Sequence, residues 1–248
     1  MDRWVGKVAV VTGASAGIGA SIAVKLAQTG IIVAGFARRK EGVEEFAKGL
    51  QRTNGKLYGV KVDVSKEKEI IEGFNWVKKN LGPVHILINN AGIIRNNTLI
   101  DGNFEQWKEI FDTNVLGLCL ATREAVKNMR ESNVSGHVIH INSRCGHRVP
   151  NVPNVNVYPA SKHAVTALAE TLRHELHRNN LNIKITNISP GHVDTDIIEF
   201  AGFSKSTTYN GRIPLKVDDV TESVLYALRT PSHVQVAEIT LFPVTDAV

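Results

Sequence analysis

Two side chains of complementary type stand four residues apart in Tyr158-Pro159-Ala160-Ser161-Lys162. Positions i and i+4 share a helix face, so the Lys162 ammonium lies near the Tyr158 phenol. A phenol titrates near ~10, too high for proton transfer at neutral pH. A neighbouring cation stabilises phenolate, and each unit of lowering corresponds to about 1.4 kcal/mol. Tyr158 is therefore a candidate acid/base. Ser143 ends a strand-like run, where its hydroxyl can bond the oxygen that exchanges the proton. A Tyr-x-x-x-Lys spacing also occurs on ordinary amphipathic helices, so the pair alone leaves a packing role open.

A second set of residues is suited to holding an anion. The first strand-like run leads into Thr12-Gly13-Ala14-Ser15-Ala16-Gly17-Ile18-Gly19, after which a helix begins. Glycines at a strand-to-helix turn let backbone N–H groups approach a pyrophosphate, which the helix N-terminus favours electrostatically. Gly13, Ser15, Gly17, Ile18 and Gly19 are the expected cradle; the alternative is glycines that merely ease a tight turn. An NAD site places Asp or Glu about 20 residues further on, at the end of the second strand. That stretch reads Gly35-Phe36-Ala37-Arg38-Arg39. A guanidinium matches a 2′-phosphate in charge and geometry, so Arg38 and Arg39 point to NADP(H); a solvated basic turn is the alternative. Asp63-Val64 closes the third strand, where a carboxylate can meet an adenine amino group. Asn89-Asn90-Ala91-Gly92 closes the fourth, at the edge where ligands bind such sheets. Each could be an ordinary strand-ending turn; their order along the chain favours a dinucleotide site.

The elements that must position these residues alternate. Strands are expected at 7–12, 31–37, 56–62, 85–89, 137–142, 183–189 and 235–242, and helices at 17–30, 41–53, 66–81, 105–129, 158–180 and 217–228. Most strand candidates are continuously apolar, as befits parallel strands covered on both faces. Gly30 is placed as a helix C-cap and Ser65 as the cap of the third helix. The pattern predicts an α/β fold: one Rossmann-type doubly wound parallel sheet of about seven strands, helices on both faces. With no dividing linker, residues 1–248 read as one domain, cofactor-binding over about 1–140 and catalytic over about 141–248.

Composition narrows the function classes. The chain has 248 residues, a formal net charge of +5 and 43% hydrophobic residues. Lys and Arg are scattered, with Arg38-Arg39-Lys40 the densest run, so nucleic-acid binding is not expected. Only Cys119 and Cys145 are present, which points to a reducing compartment. No run approaches a membrane span and no secretory leader is read at the N-terminus; a cytoplasmic protein is expected. No His/Cys/Asp cluster has metal-ligand spacing, so no catalytic metal is expected.

Residues 12–19, Asn89 to Gly92, Asn114, Ser143, Tyr158, Lys162, Pro190-Gly191 and Thr195 together resemble, in order and spacing, the motif series of short-chain dehydrogenase/reductases. The resemblance covers essentially the whole chain. It implies that Tyr158 gives a proton in carbonyl reduction and takes one in alcohol oxidation. It implies that Lys162 holds the nicotinamide ribose and lowers the tyrosine pKa, Ser143 orients the substrate oxygen, and Asn114 supports a water-linked proton relay. Pro190, Gly191, Val193 and Thr195 would border the nicotinamide. Asn142-Ser143-Arg144-Cys145-Gly146-His147-Arg148-Val149-Pro150 and the ending Glu238-Ile239-Thr240-Leu241-Phe242-Pro243 are similar to the farnesol-dehydrogenase-like branch of insects and its animal relatives. That branch implies NADP-dependent chemistry on an apolar small molecule, farnesol/farnesal-like first and a 3- or 17-keto-steroid second, in a homodimer or homotetramer. The stretch 194–211, where a substrate lid would lie, is shorter than the branch implies. A catalytically silent NADP(H)-binding regulator is the reading from a different class.

Other reactive side chains are discounted. His140, His147, His163, Cys145 and Glu170 are assigned surface, packing or pocket-wall roles. Ile197, Ile198, Phe200 and Phe203 are read as an apolar lid over the substrate, or as plain packing.

Overall fold

Short β-branched runs form the centre of the computed structural model, which describes residues 1–50, 54–206 and 211–245. Seven parallel strands form one sheet: β1 (Val8–Thr12), β2 (Ile32–Ala37), β3 (Lys56–Lys61), β4 (Val84–Asn89), β5 (Gly136–Ile141), β6 (Ile183–Pro190) and β7 (Glu238–Leu241). Their order is β3-β2-β1-β4-β5-β6-β7, so the winding reverses between β1 and β4. At such a switch point the strand ends open a crevice for a ligand.

Alternate side chains of each strand enter two cores. Ala9, Val11, Val33, Ile88 and Ile139 meet α1 (Gly17–Gln28), α2 (Lys40–Lys48) and, through Val220, Val224 and Leu228, the last described helix, α8 (Val217–Arg229). Val8, Val10, Phe36, Leu87 and Val138 meet α3 (Glu67–Asn80), α5 (Gly117–Glu131) and α6 (Tyr158–Arg178). Both faces are apolar because both are covered, which explains the unbroken hydrophobic runs. Two shorter helices are α4 (Phe104–Phe111) and α7 (Ile197–Phe200).

Four local expectations need correction. Ser65 does not cap α3: its hydroxyl donates to Asp63 Oδ1 at 2.8 Å, and Lys66 is the extended residue before the helix. The helix expected over 41–53 closes at Lys48, and residues 51–53 lie outside the described residues. The helix expected over 105–129 is α4, a π-turn at Asp112–Leu116 and α5 in succession. The strand expected over 235–242 shortens to β7 because the Gln235 side-chain amide, not its backbone, pairs with Ile185 N and O. Gly30 does end α1, with φ +92. Upstream of β1, a 3₁₀ turn (Asp2–Trp4) buries Trp4, whose indole donates to Leu228 O at 2.9 Å.

Candidate active site

The glycine turn and the end of β4 are locked to each other. Buried Thr12 accepts at Oγ1 from the backbone N–H groups of Asn90 and Ala91, both at 3.0 Å. The Asn90 amide donates back to Thr12 O at 3.0 Å and Gly13 O at 3.2 Å. A Cβ on Gly13 would come within 2.9 Å of Ala91 Cα, and φ is +67 there, so only glycine serves. A Cβ on Gly19 would collide with the Asn90 amide and the Gly13 carbonyl. Gly17 faces the Thr195 side chain, which brings the segment after β6 over the turn. That segment is tied down by Gly191 N to Leu241 O (2.7 Å) and by the pairing of Val193 with Leu215. Ala16 leads into α1 with no side-chain cap and no acidic residue in the first turn. The leading N–H groups of α1, with Ser15 and Ile18 beside them, therefore remain suited to an anion.

Arg38 and Arg39 follow β2, both exposed, and neither has an ion-pair partner among the described residues. They are on the Ser15 side of the crevice, since a Cβ on nearby Gly42 would lie 3.2 Å from Ser15 O. Asp63 is half-buried after β3 and accepts from the Ser65 backbone and hydroxyl. The carbonyl of Val64 presses on Gly117, where a Cβ would sit 2.6 Å away.

A second group converges beyond Gly92. The π-turn carries Asn114, whose Oδ1 accepts from Ile93 N at 2.8 Å while Nδ2 donates to Ile93 O at 2.9 Å and Ser161 Oγ at 3.1 Å. A Cβ on Gly92 would lie 3.5 Å from Asn114 Oδ1 and 3.8 Å from Lys162 Nζ, so both side chains reach the same point. Lys162 Nζ donates to Ile141 O at 3.1 Å and stands 5.9 Å from the Tyr158 ring centre. The Ser143 hydroxyl is within hydrogen-bond reach of the phenol and accepts from Cys145 N at 3.1 Å. Its turn fits closely against α6, because a Cβ on Gly146 would lie 2.7 Å from Lys162 O.

Burial dominates the electrostatics here. It pushes the Tyr158 phenol well above its usual range, reinforced by the Cys145 thiol and opposed by the Ser143 hydrogen bond. It also lowers Lys162 to about 8. Lys162 is not among the groups that shift the phenol here; its ammonium donates to Ile141 O.

The discounted residues separate. His163 is exposed and bonds Pro159 O at 2.9 Å, and Glu170 pairs with Arg173 and His174 at the surface. His140 is buried against Asn89 Nδ2. His147 turns from the phenol to Glu238 Oε1 (2.6 Å) and Ser189 Oγ (3.0 Å), whereas Cys145 stays beside Ser143. Ile197 and Ile198 are half-buried in α7, Phe203 follows half-buried, and Phe200 is 71% exposed, so its ring is not packed away. Of the lid stretch 194–211, residues 207–210 lie outside the described residues. Sequence reasoning missed the Thr12 hydroxyl, Ser161 and Gly146; a strand-terminal Thr before the glycines was the available signal for the first. Among the described residues, no three His, Cys, Asp or Glu side chains are grouped to hold a metal, and no helix is long and apolar enough to cross a membrane.

The short chain dehydrogenase family model matches residues 7–202. The chain belongs to the short-chain dehydrogenase family. Farnesol dehydrogenase of Aedes aegypti is 49% identical over 99% of both chains. Dehydrogenase/reductase SDR family member 11 of Bos taurus is 44% identical over 98% of both. The chain is thus an oxidoreductase of the farnesol-dehydrogenase-like branch. Among solved structures, the closed form of serine dehydrogenase complexed with NADP+ superimposes with TM-score 0.87 at 30% identity, covering 97% of this chain and 96% of that one. An alcohol dehydrogenase of Thermococcus sibiricus complexed with 5-hydroxy-NADP gives 0.85 at 28% identity, covering 98% of each. The cofactor class is accordingly a nicotinamide dinucleotide.

Proposed function

We propose that this protein is an NADP(H)-dependent oxidoreductase that interconverts an apolar alcohol with its aldehyde or ketone, a farnesol/farnesal-like pair first. The observation that carries the reading is the Tyr158 phenol beside the Ser143 hydroxyl, with Lys162 and Asn114 meeting at Gly92. Residues 1–248 act as one unit, the first part holding cofactor and the part from about 141 onward the substrate.

The residues present suit the cofactor. Gly13, Ser15, Gly17, Ile18 and Gly19 would take the pyrophosphate on the uncapped end of α1. Arg38 and Arg39, exposed and without an ion-pair partner among the described residues, would take the 2′-phosphate. Asp63 and Val64 would border the adenine, and Asn90, Ala91 and Gly92 the adjoining ribose. Pro190, Gly191, Val193 and Thr195 would border the nicotinamide. When bound, NADPH supplies a hydride to the carbonyl carbon. Tyr158 Oη then delivers its proton to the carbonyl oxygen, which Ser143 Oγ holds in place; alcohol oxidation reverses both movements. Lys162 would hold the ribose and give the phenolate a countercharge. Asn114 fixes the Ile93 backbone beside Lys162 and supports proton resupply through water. The apolar substrate is supported by the loops after β4, β5 and β6, which expose Leu99, Ile100, Val149, Phe200 and Ile213.

The test is Tyr158→Phe assayed with NADPH and farnesal. Turnover should fall by a factor of about 10³ or more with NADPH affinity within about twofold, since only the proton donor is removed. Undiminished turnover sinks the mechanism. Tight NADPH binding by the unaltered protein with no consumption across a carbonyl panel would instead favour a regulatory protein.

A further inference from the structure

A cavity of about 330 Å³ opens where the strands begin, at the opposite end of the sheet from the glycine turn. Arg3, Lys7, His85 and Lys184 line it with Ser135 and Asn182, and no acidic side chain does. Lys7 stands just before β1, His85 near the start of β4, Ser135 just before β5 and Lys184 near the start of β6. Four separate strand entrances thus bring cationic or donor groups to one place.

Lys184 is fixed, whereas Arg3 and Lys7 keep donors without acceptors among the described residues. Lys184 Nζ is surrounded by Thr230 Oγ1 (2.9 Å), Val234 O (3.0 Å), Pro231 O (3.3 Å) and Thr230 O (3.5 Å). It is saturated with acceptors yet has no carboxylate. Arg3 donates one Nη2 hydrogen to Leu228 O at 2.9 Å with its guanidinium 4.7 Å from the Trp4 ring centre. Its remaining N–H groups have no protein acceptor among the described residues, and the exposed Lys7 ammonium has none at all there. His85 is 8% exposed, its ring held against the Pro83 backbone in the floor of the cavity. Like charges crowd one another here: burial and Lys7 hold His85 down against a hydrogen bond to the Pro83 backbone, and burial and Arg3 hold Lys184 down to about 8. A cavity lined by one sign of charge concentrates counter-ions.

We propose that this basal cavity binds a small multivalent oxyanion, inorganic phosphate or a phosphate monoester, held by Arg3 and Lys7 over His85 with Lys184 as fixed countercharge. Arginine's planar fork suits tetrahedral oxyanions, and the volume admits a phosphate with a short substituent but no dinucleotide. The site is distinct from the Arg38–Arg39 edge, which lies at the other ends of the strands.

The test is calorimetric titration of inorganic phosphate and of glycerol phosphate into the whole protein, at ionic strength held constant with chloride. Lys7→Ala and Lys7→Glu are titrated alongside; Lys7 is exposed ahead of β1, so both variants keep the core. Saturable binding should weaken tenfold or more in Lys7→Ala and vanish in Lys7→Glu, whose carboxylate takes the anion's place. The thermal midpoint of Lys7→Glu without phosphate should equal or exceed that of the unaltered protein. Stronger binding of glycerol phosphate identifies a monoester, and equal or weaker binding the free anion. No saturable heat, or the same affinity in Lys7→Glu, overturns the proposal, because phosphate held only at Arg38 and Arg39 would not sense Lys7.

Discussion

Tyr158 shows how one side chain's chemistry depends on its surroundings. Spacing alone places a lysine beside it, yet desolvation raises the phenol and the Lys162 ammonium donates to Ile141 O. Arg38 and Arg39 are the complementary case, since they are exposed and have no ion-pair partner among the described residues. Replacing both with Ala should raise the Kd for NADPH roughly ten- to a hundredfold, as expected for losing one or two charge-assisted hydrogen bonds. NADH binding should change by less than about threefold, and fluorescence titration of both cofactors checks it. Equal losses for the two would place the arginines away from a 2′-phosphate.

At the level of elements, the glycine turn is one half of a joint whose other half is the end of β4. Thr12 accepts two backbone N–H groups from that strand end, and Asn90 returns its amide to the turn. Thr12→Val keeps the shape and leaves two half-buried donors unpaired, so it should destabilise the fold by about 2 kcal/mol. The thermal midpoint should fall by several degrees, with a parallel loss of dinucleotide affinity; an unchanged midpoint would show the joint to be dispensable. The π-turn between α4 and α5 serves the same end, since it carries buried Asn114 to the Ile93 backbone. One extra residue per turn re-aims a side chain at the cost of a regular helix. Periodicity cannot reveal this, because a continuous apolar stripe reads the same through a π-turn.

The sheet as a whole buries groups that titrate. His137 and His140 are at most 1% exposed, and each falls from 6.5 to about 3, by burial first and then through Lys184 and Arg3 for His137 and Lys162 for His140. Their folded values lie below their unfolded ones, so the unfolded chain binds more protons between about pH 3 and 6.5. Stability is therefore present above this window and lost as pH falls through it. Between pH 7 and 5 the loss should be about 2 kcal/mol per histidine, measured from urea midpoints. His137→Leu should remove one such share, because Thr186 keeps its bond to Val236 O; an equally steep acid loss in that variant would show that His137 titrates normally.

Strand and helix order, the glycine turn, the arginines after β2 and the Ser143, Tyr158 and Lys162 set were all legible in the sequence. They depend on local periods and on residue types at fixed spacing, which short-range sterics and hydrogen bonding dictate. Ser65 marks the limit of such reasoning: a cap and a turn ask for the same hydroxyl, and Asp63 won it. Only the tertiary structure decided that β1 and β4 are neighbours, and hence that Thr12 meets Asn90. It alone decided where Lys162 points, how deeply Tyr158 is held, and that the first turn and three strand entrances gather Arg3, Lys7, His85 and Lys184. Burial and charge proximity arise between segments far apart in the chain, so no local pattern encodes them.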